Sequence, residues 1–217
     1  MERLRSYCYF ECFADRASEQ FESFMSSDSR ATNLKSQYSF HAVKGGANGG
    51  VDKRIVEVFF GCRPFDKVTM IATGGEGIPR PRETLLSEQG ACLRYERVDD
   101  GSVLCVLYPA RTENLRQEED FIQLSFRRNA KSLSRNWLIK RDWRVFLSYM
   151  ISTSLDAYPR PTDRARIWWL RLTRKRGVQG QVERPRIATG AERIFSYVVT
   201  VGLSGFLLAI LVHYFGL

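Results

Sequence analysis

The sequence predicts an α+β fold, an antiparallel sheet of about five or six strands with two or three helices, followed by one C-terminal transmembrane helix. Three observations lead to this class. Runs of β-branched and aromatic residues are separated by glycine-rich or Asp-Gly turns, which is typical of antiparallel strands. Two stretches carry apolar residues at helical spacing. Residues 195–217 contain no Asp, Glu, Lys or Arg.

The first third of the chain predicts one helix and several strands. Phe21, Phe24 and Met25 have helical spacing, which indicates a short helix over 14–27. Alternating or β-branched runs then predict strands over 37–44, 53–61 and 67–73, with a glycine-rich turn at 45–50. Prolines at 79 and 81 precede Thr84–Gln89, which we interpret as a helical turn.

The clearest local signal is a hairpin in the middle of the chain. Two β-rich runs, 92–98 and 103–108, flank Asp99-Asp-Gly101, and Asp-Gly between such runs is a strong hairpin signature. A further strand is predicted over 121–126. A long helix follows over 134–155, with Ser134 as its N-cap, and prolines end it.

The uncharged segment 195–217 has the length and composition of a membrane span. At about 1.5 Å per residue, roughly 20 apolar residues cross a bilayer core. Tyr197 at one end and His213 with Tyr214 at the other suit the two interfaces. No signal peptide is recognised at the start of the sequence, so we expect a tail anchor. The predicted domains are a soluble α+β domain over 1–159, a basic juxtamembrane segment over 160–193 and a transmembrane helix over 194–217.

The positive charge is concentrated beside this span. The chain has a net charge of +9, of which residues 160–193 supply +7 with ten basic and three acidic side chains. A basic flank stays on the cytoplasmic side during insertion and attracts anionic headgroups. We therefore expect a bacterial inner-membrane protein with a cytoplasmic N-terminal domain. The charge does not favour a nucleic-acid partner, because it adjoins the span.

Within the basic flank, tryptophans and arginines are interleaved over 164–176. If helical, this stretch lies in the membrane plane; alternatively it packs on the N-terminal domain with Trp168 and Trp169 in the core. The membrane-interface residues predicted from the first interpretation are Arg164, Arg166, Trp168, Trp169, Arg171, Arg174, Lys175, Arg176 and Arg193. The following linker, 177–190, contains three glycines and a proline and is predicted to be irregular.

The span carries a row of small residues. Small side chains let helix backbones approach closely in lipid, which indicates association with a second copy or a partner membrane protein. The predicted helix-association residues are Ser196, Thr200, Ser204, Gly205 and Ala209.

The sequence contains no recognisable catalytic, cofactor or metal-binding arrangement. The five cysteines include no C-x-x-C pair, and the odd count does not fit a disulfide framework, so we expect reduced, mostly buried thiols. The histidines are His41 and His213, and no motif pairs either with a cysteine. The glycine-rich segments 45–50 and 74–77 lack phosphate-loop spacing. The carboxylates at 118–120 are interpreted as a solvated loop.

The order of elements resembles that of uncharacterised bacterial proteins with a C-terminal membrane helix. The resemblance is carried by the ACLRYERVDDGSVLCVLYPARTE hairpin, the FIQLSF strand, the tryptophan-containing helix and the apolar tail. It implies an inner-membrane location and no activity or site residues. The hypothesis is a non-enzymatic anchored protein that senses a signal or binds a partner, such as a membrane effector of antiviral defence or a toxin-like system. The alternatives are an anchored enzyme acting on a nucleotide or lipid headgroup and a membrane-tethered nucleic-acid binder.

Overall fold

A computed structural model describes residues 2–47, 52–73, 79–113 and 117–185. These residues form an α+β fold with a large antiparallel sheet and four α-helices. The helices are α1 (Glu2–Ser27), α2 (Ser29–Lys35), α3 (Asn136–Thr153) and α4 (Pro161–Thr173), and a 3₁₀ helix spans Ala130–Ser134. The strands are β1 (Phe40–Lys44), β2 (Ile55–Phe60), β3 (Cys62–Thr73), β4 (Pro79–Gln89), β5 (Cys92–Arg97), β6 (Ser102–Tyr108), β7 (Arg111–Thr112), β8 (Phe121–Asn129), β9 (Arg176–Val178) and β10 (Gln181–Glu183).

The main sheet has seven strands in the order β1-β2-β5-β6-β8-β9-β10, with every neighbouring pair antiparallel. The predicted Asp-Gly hairpin is confirmed: Cys92 pairs with Tyr108 and Arg97 with Val103. Gly101 takes a φ of 84° in the turn, a conformation that glycine adopts without a steric cost. The sheet is larger than the predicted five or six strands because β9 and β10 extend it.

A smaller sheet is built from β3, β4 and β7. Its two long strands pair from Cys62 with Gln89 to Thr73 with Pro79. The prediction of a helical turn over Thr84–Gln89 is therefore wrong, because pairing with β3 holds this segment extended. The local residue pattern of this segment cannot reveal that β3 is its partner, because the hydrogen bonds that hold it extended come from a different part of the chain.

The core lies between one face of the main sheet and the helices. In β2, the side chains alternate between buried and half-buried positions, so one face of the strand is turned to the core. Helix α1 supplies Phe10, Phe13 and Phe21, and α3 supplies Trp143 and Phe146, all of them buried. Apolar residues at helical spacing explain why these two helices cover the sheet.

Helix α1 is longer than predicted, beginning at Glu2 rather than near residue 14. Buried residues recur from Phe10 onward, and the polar first turns are held by a distant part of the chain. The Tyr7 hydroxyl donates to the carbonyl oxygen of Asp99 at 2.9 Å, and the Arg97 guanidinium lies 3.8 Å from the Tyr7 ring centroid. These contacts with the β5–β6 turn stabilise a helical end that the local sequence does not favour.

The linker predicted to be irregular over 177–190 begins with a hairpin. Strand β9 pairs with β8 through Gly177 and Phe121, and β10 pairs back onto β9. Gln179 and Gly180 both have positive φ, as a two-residue hairpin turn requires. Within the described residues no helix has the length and apolarity needed to cross a bilayer. The predicted span over 194–217 lies outside those residues.

Candidate membrane-facing surface

Helix α4 carries the tryptophan and arginine residues of the basic flank. Pro161 occupies its first turn, where a missing N–H costs nothing. The Asp163 carboxylate accepts a hydrogen bond from the amide of Arg160 at 3.3 Å, which satisfies a backbone donor at the helix start. Helix α4 packs against α3, and its buried residues are Asp163, Ile167 and Leu170.

The opposite side of α4 is exposed. Trp168 and Trp169 are 61% and 57% exposed, and they share this side with Arg164 and Ala165, which are also exposed. We call these four residues the outer face of α4. The alternative interpretation, with both tryptophans in the core, is therefore wrong. The helix does pack on the preceding domain, but it does so through its aliphatic side chains.

Two exposed cations follow α4 directly. Arg174 and Lys175 are both exposed, and the Lys175 ammonium lies 5.6 Å from the ring centroid of Phe126 on β8. Phe126 is itself 59% exposed. Together with the outer face of α4, these residues combine large apolar groups and cations on neighbouring elements, which is the composition of protein surfaces at lipid headgroup level.

Three arginines of the segment, Arg166, Arg171 and Arg176, are turned towards the fold. On the inner side of α4, Asp163 is 1% exposed and accepts hydrogen bonds from Ser148 Oγ at 2.7 Å and Arg30 Nη1 at 3.2 Å. Arg166 donates through Nη1 to the same serine hydroxyl at 2.7 Å. This network connects α4 to α3 and α2, since a buried carboxylate requires such partners.

Arg171 reaches a second buried carboxylate, Glu119. Its guanidinium donates to Glu119 Oε1 through Nη2 at 2.8 Å and Nε at 3.1 Å, and the Tyr149 hydroxyl donates to the same oxygen at 3.2 Å. Burial and the neighbouring Glu119 charge raise the pKa of Tyr149 well above its ordinary value, so the phenol stays protonated and donates. The Glu119 side chain is fully buried.

Arg176 is the most buried of the described arginines of the flank, at 2% exposure. Its Nη1 donates to Glu118 Oε1 at 3.1 Å and its Nη2 donates to Glu183 Oε2 at 2.7 Å. Burial alone would lower the pKa of Arg176, but hydrogen bonds to Glu183 and Glu118 raise it above the ordinary value. The pairing holds the β9–β10 hairpin on the acidic segment before β8.

The structure thus divides the predicted membrane-interface residues into two groups. Arg164, Trp168, Trp169, Arg174 and Lys175 are exposed on one continuous stretch of chain. Arg166, Arg171 and Arg176 are bound to groups of the fold. Outside the described residues lie Arg193 and the predicted helix-association residues Ser196, Thr200, Ser204, Gly205 and Ala209.

Sequence reasoning missed the role of the acidic segment. The interpretation of 118–120 as a solvated loop is wrong for Glu119, which is buried against Arg171 and Tyr149. The sequence shows an excess of arginines downstream of this segment, but it does not indicate which of them pairs with Glu119.

The cysteines also depart from the expectation of mostly buried thiols. Cys8, Cys12 and Cys62 are exposed and Cys92 is half-buried, whereas Cys105 is buried; all five are free thiols. His41 lies exposed on β1, with its ring 5.2 Å from that of Phe59. Among the described residues, no three His, Cys, Asp or Glu side chains are grouped as a metal site requires.

Comparison of the chain with protein-family models, with curated proteins and with solved structures found no match.

Proposed function

We propose that this chain is a single-pass membrane protein of the bacterial inner membrane, anchored by residues 194–217 and with its α+β domain in the cytoplasm. The domain senses a signal or binds a partner. The observation that carries the proposal is the outer face of α4. Two exposed tryptophans and an arginine lie there, shortly before the linker to the uncharged segment. Tryptophan and arginine are favoured at the headgroup level of a bilayer.

The free energy with which this surface would bind an anionic membrane suits a docking contact and not an anchor. The exposed cations Arg164, Arg174 and Lys175 contribute about 1 kcal/mol each near an anionic leaflet, or about 3 kcal/mol together. A surface of this strength binds lipid reversibly, whereas an uncharged helix of 23 residues inserts stably. The two parts therefore have separate roles: the span retains the protein, and α4 orients the domain against the lipid.

The docking can be tested by tryptophan quenching in proteoliposomes of the full chain. Brominated lipids quench tryptophans at the membrane. We expect the double variant Trp168→Phe, Trp169→Phe to lose most of the lipid-dependent quenching. Trp137→Phe is the matched control, because Trp137 is also 61% exposed but lies on α3. Equal loss in the control and the double variant would contradict docking through α4.

The anchor is tested independently by alkaline extraction of membranes from expressing bacteria. The full chain should stay in the membrane pellet, and Leu207→Arg with Leu208→Arg should release it, because charges at the centre of a span are strongly disfavoured. An N-terminal tag should remain inaccessible to protease added outside spheroplasts. Release of the unmodified chain by alkali would refute the anchor whatever the quenching result.

We further propose that the anchored protein acts as a membrane effector through association of its span. The support is the row of small residues at 196, 200 and 204, which permits close helix packing in lipid. Induced expression should collapse the membrane potential reported by a voltage-sensitive dye, and Ser204→Leu with Gly205→Leu should prevent the collapse. An unchanged potential on induction would reject the effector role and leave a tethered binding protein.

A further inference from the structure

A groove at the start of α1 concentrates positive charge far from α4 in the sequence. It lies between the first turns of α1, the β5–β6 turn and the end of β8, and has a volume of about 430 Å³. Its charged lining residues are Glu2, Arg3, Arg5, Asp100, Arg127 and Lys131. We call this the basic groove. Four cations face two carboxylates, so the groove favours an anion.

Two cations of the basic groove contact aromatic rings: the Arg3 guanidinium lies 5.9 Å from the Tyr7 ring centroid, and that of Arg127 lies 5.4 Å from the Phe126 ring centroid. Within the described part of the chain, Arg3, Arg5 and Lys131 form no salt bridge, and all three are exposed. Arg127 is 71% exposed, and its Nε lies 3.8 Å from Asp100 Oδ2, beyond direct hydrogen-bond distance. Four guanidinium or ammonium groups around one cavity suit a phosphate, which accepts several charge-assisted hydrogen bonds.

Asp100 offsets part of this charge, because its Oδ2 lies 3.8 Å from Arg127 Nε. Its Oδ1 accepts hydrogen bonds from the hydroxyl and amide of Ser102 at 2.6 and 2.8 Å. These two bonds lower the pKa of Asp100 and hold the carboxylate towards the turn. Asp100 therefore serves the hairpin as a turn residue and stays ionised, and the charged side chains that line the groove keep an excess of two positive charges.

Arg127 is held in the basic groove by an unusual backbone conformation. The β6–β8 register shifts between Val103 and Cys105, so that two residues of β8 lie opposite one residue of β6. At this bulge Arg127 takes a φ of 54°, in the left-handed region that glycine or asparagine adopts more readily. Strained backbone conformations cluster at functional sites, so this conformation supports a binding role for Arg127.

The walls of the groove are fixed to each other. The Tyr7 hydroxyl binds the carbonyl of Asp99, and Arg97 stacks on the Tyr7 ring. Gly101 lies so close to α1 that a Cβ there would be 3.0 Å from the Cβ of Ser6. The backbone positions that carry the cations on the helix and on β8 are therefore held at a constant separation, which lowers the entropic cost of binding a ligand.

A second cavity of about 320 Å³ adjoins the basic groove, and Tyr9 lines both. Its wall includes the apolar residues Phe13 and Leu133. Tyr9 is 40% exposed, so its ring is available for stacking or apolar contact. The second cavity is also lined by Arg16 and Glu19, so the two cavities together offer a cationic end and an end of mixed polarity with Tyr9 between them.

We infer that the basic groove binds a phosphate ester that carries a ring or another apolar group. The phosphate lies between Arg3, Arg5 and Arg127, and the remainder of the ligand contacts Tyr9. A soluble nucleotide and a phospholipid headgroup share this chemistry. None of these residues belongs to α4 or the span, although Arg127 lies over the ring of Phe126, which Lys175 also contacts. A titration in detergent tests the inference without a bilayer.

The test is calorimetric titration of the full chain in a neutral detergent, with ATP in one arm and a soluble short-chain phosphatidylglycerol in the other. Binding of ATP alone identifies a nucleotide site, binding of the lipid alone a headgroup site, and binding of both a general phosphate-ester site. Each of these results supports the inference if Arg127→Gly and Arg3→Gln each weaken binding at least tenfold. Lys140→Gln is the control, since Lys140 is an exposed cation on α3 outside the groove, and it should bind as the unmodified chain does.

Arg127→Gly also separates a ligand role from a structural one. Glycine adopts a positive φ without strain, so this variant should fold with an unchanged or higher melting temperature while it loses the ligand. Two results would overturn the inference: no binding of either ligand at millimolar concentration, or binding that both groove variants leave unchanged.

Discussion

Helices α3 and α4 both carry tryptophans and arginines, but Trp143 on α3 and the two tryptophans of α4 have opposite environments. Trp143 on α3 is 2% exposed and lies within 6.1 Å, centroid to centroid, of the rings of Phe21, Phe40 and Phe146. Trp168 and Trp169 on α4 are more than half exposed. Helix α3 is covered by α1, α4 and the sheet, whereas α4 contacts the fold along one side. The position of a tryptophan relative to the covering elements, and not the residue type, decides whether it is in the core, since Trp137 at the start of α3 is 61% exposed.

The largest loss of stability is expected from a substitution in α3. Trp143→Ala should lower the free energy of unfolding by about 3–5 kcal/mol, because it removes a buried ring and leaves a cavity. Chemical denaturation of the full chain in neutral detergent, followed by circular dichroism, measures it. A loss below about 1 kcal/mol would mean that α3 is not the centre of the core.

The second largest loss of stability is expected when the buried ion pair between Asp142 on α3 and Arg128 on β8 is broken. Asp142 is bound by Arg128 and accepts a hydrogen bond from the Tyr95 hydroxyl at 3.2 Å. Asp142→Asn leaves a guanidinium buried without its counter-charge, and we expect a loss of about 3 kcal/mol in the same denaturation experiment. Lys140→Gln, on the exposed side of α3, should have no measurable effect.

Removing the charge of the buried carboxylate that binds α4 should lower the free energy of unfolding by less. Glu119→Gln removes the carboxylate that Arg171 binds, but Arg171 is 30% exposed and can be hydrated. We expect a loss of about 1–3 kcal/mol. A loss larger than that of Asp142→Asn would show that the α4 arginines are as buried in solution as Arg128.

Acid should weaken the network that holds α4 to α2. Burial alone would raise the pKa of Asp28, but hydrogen bonds from the Arg30 side chain and amide lower it below the ordinary value of 3.8. A lowered folded-state pKa stabilises the fold above the unfolded-state pKa, and this contribution is lost as the pH falls through the folded-state pKa. Asp28→Asn retains a capping side chain, so it should reduce the difference in stability between pH 7 and pH 3; an unchanged difference would contradict this assignment.

The smallest effect on stability is expected at the outer face of α4. Trp168→Ala with Trp169→Ala should change the free energy of unfolding by no more than about 0.5 kcal/mol, because both side chains are already exposed. The same variant should lose lipid-dependent quenching in proteoliposomes. A large destabilisation would show that the tryptophans pack on a part of the chain beyond the described residues, and would favour a structural role.

Local signals predicted part of this fold well. The Asp99-Asp-Gly101 hairpin and the long helix before Pro159 are present with boundaries within a few residues of expectation. Strand β4 was missed, because its extended form depends on pairing with β3. The β9–β10 hairpin was missed as well, since it depends on pairing with β8 and on the buried Arg176.

The sequence by itself determined the segregation of charge and apolar residues: a nearly neutral domain, a flank of +7 and an uncharged segment of 23 residues. Only the tertiary structure decided which cations of that flank face outward. A guanidinium is stable either in water or against a buried carboxylate, and its own neighbours in sequence are similar in both cases. The choice was made by Glu118, Glu119 and Ser148, which are distant in the chain and brought to the arginines only by folding.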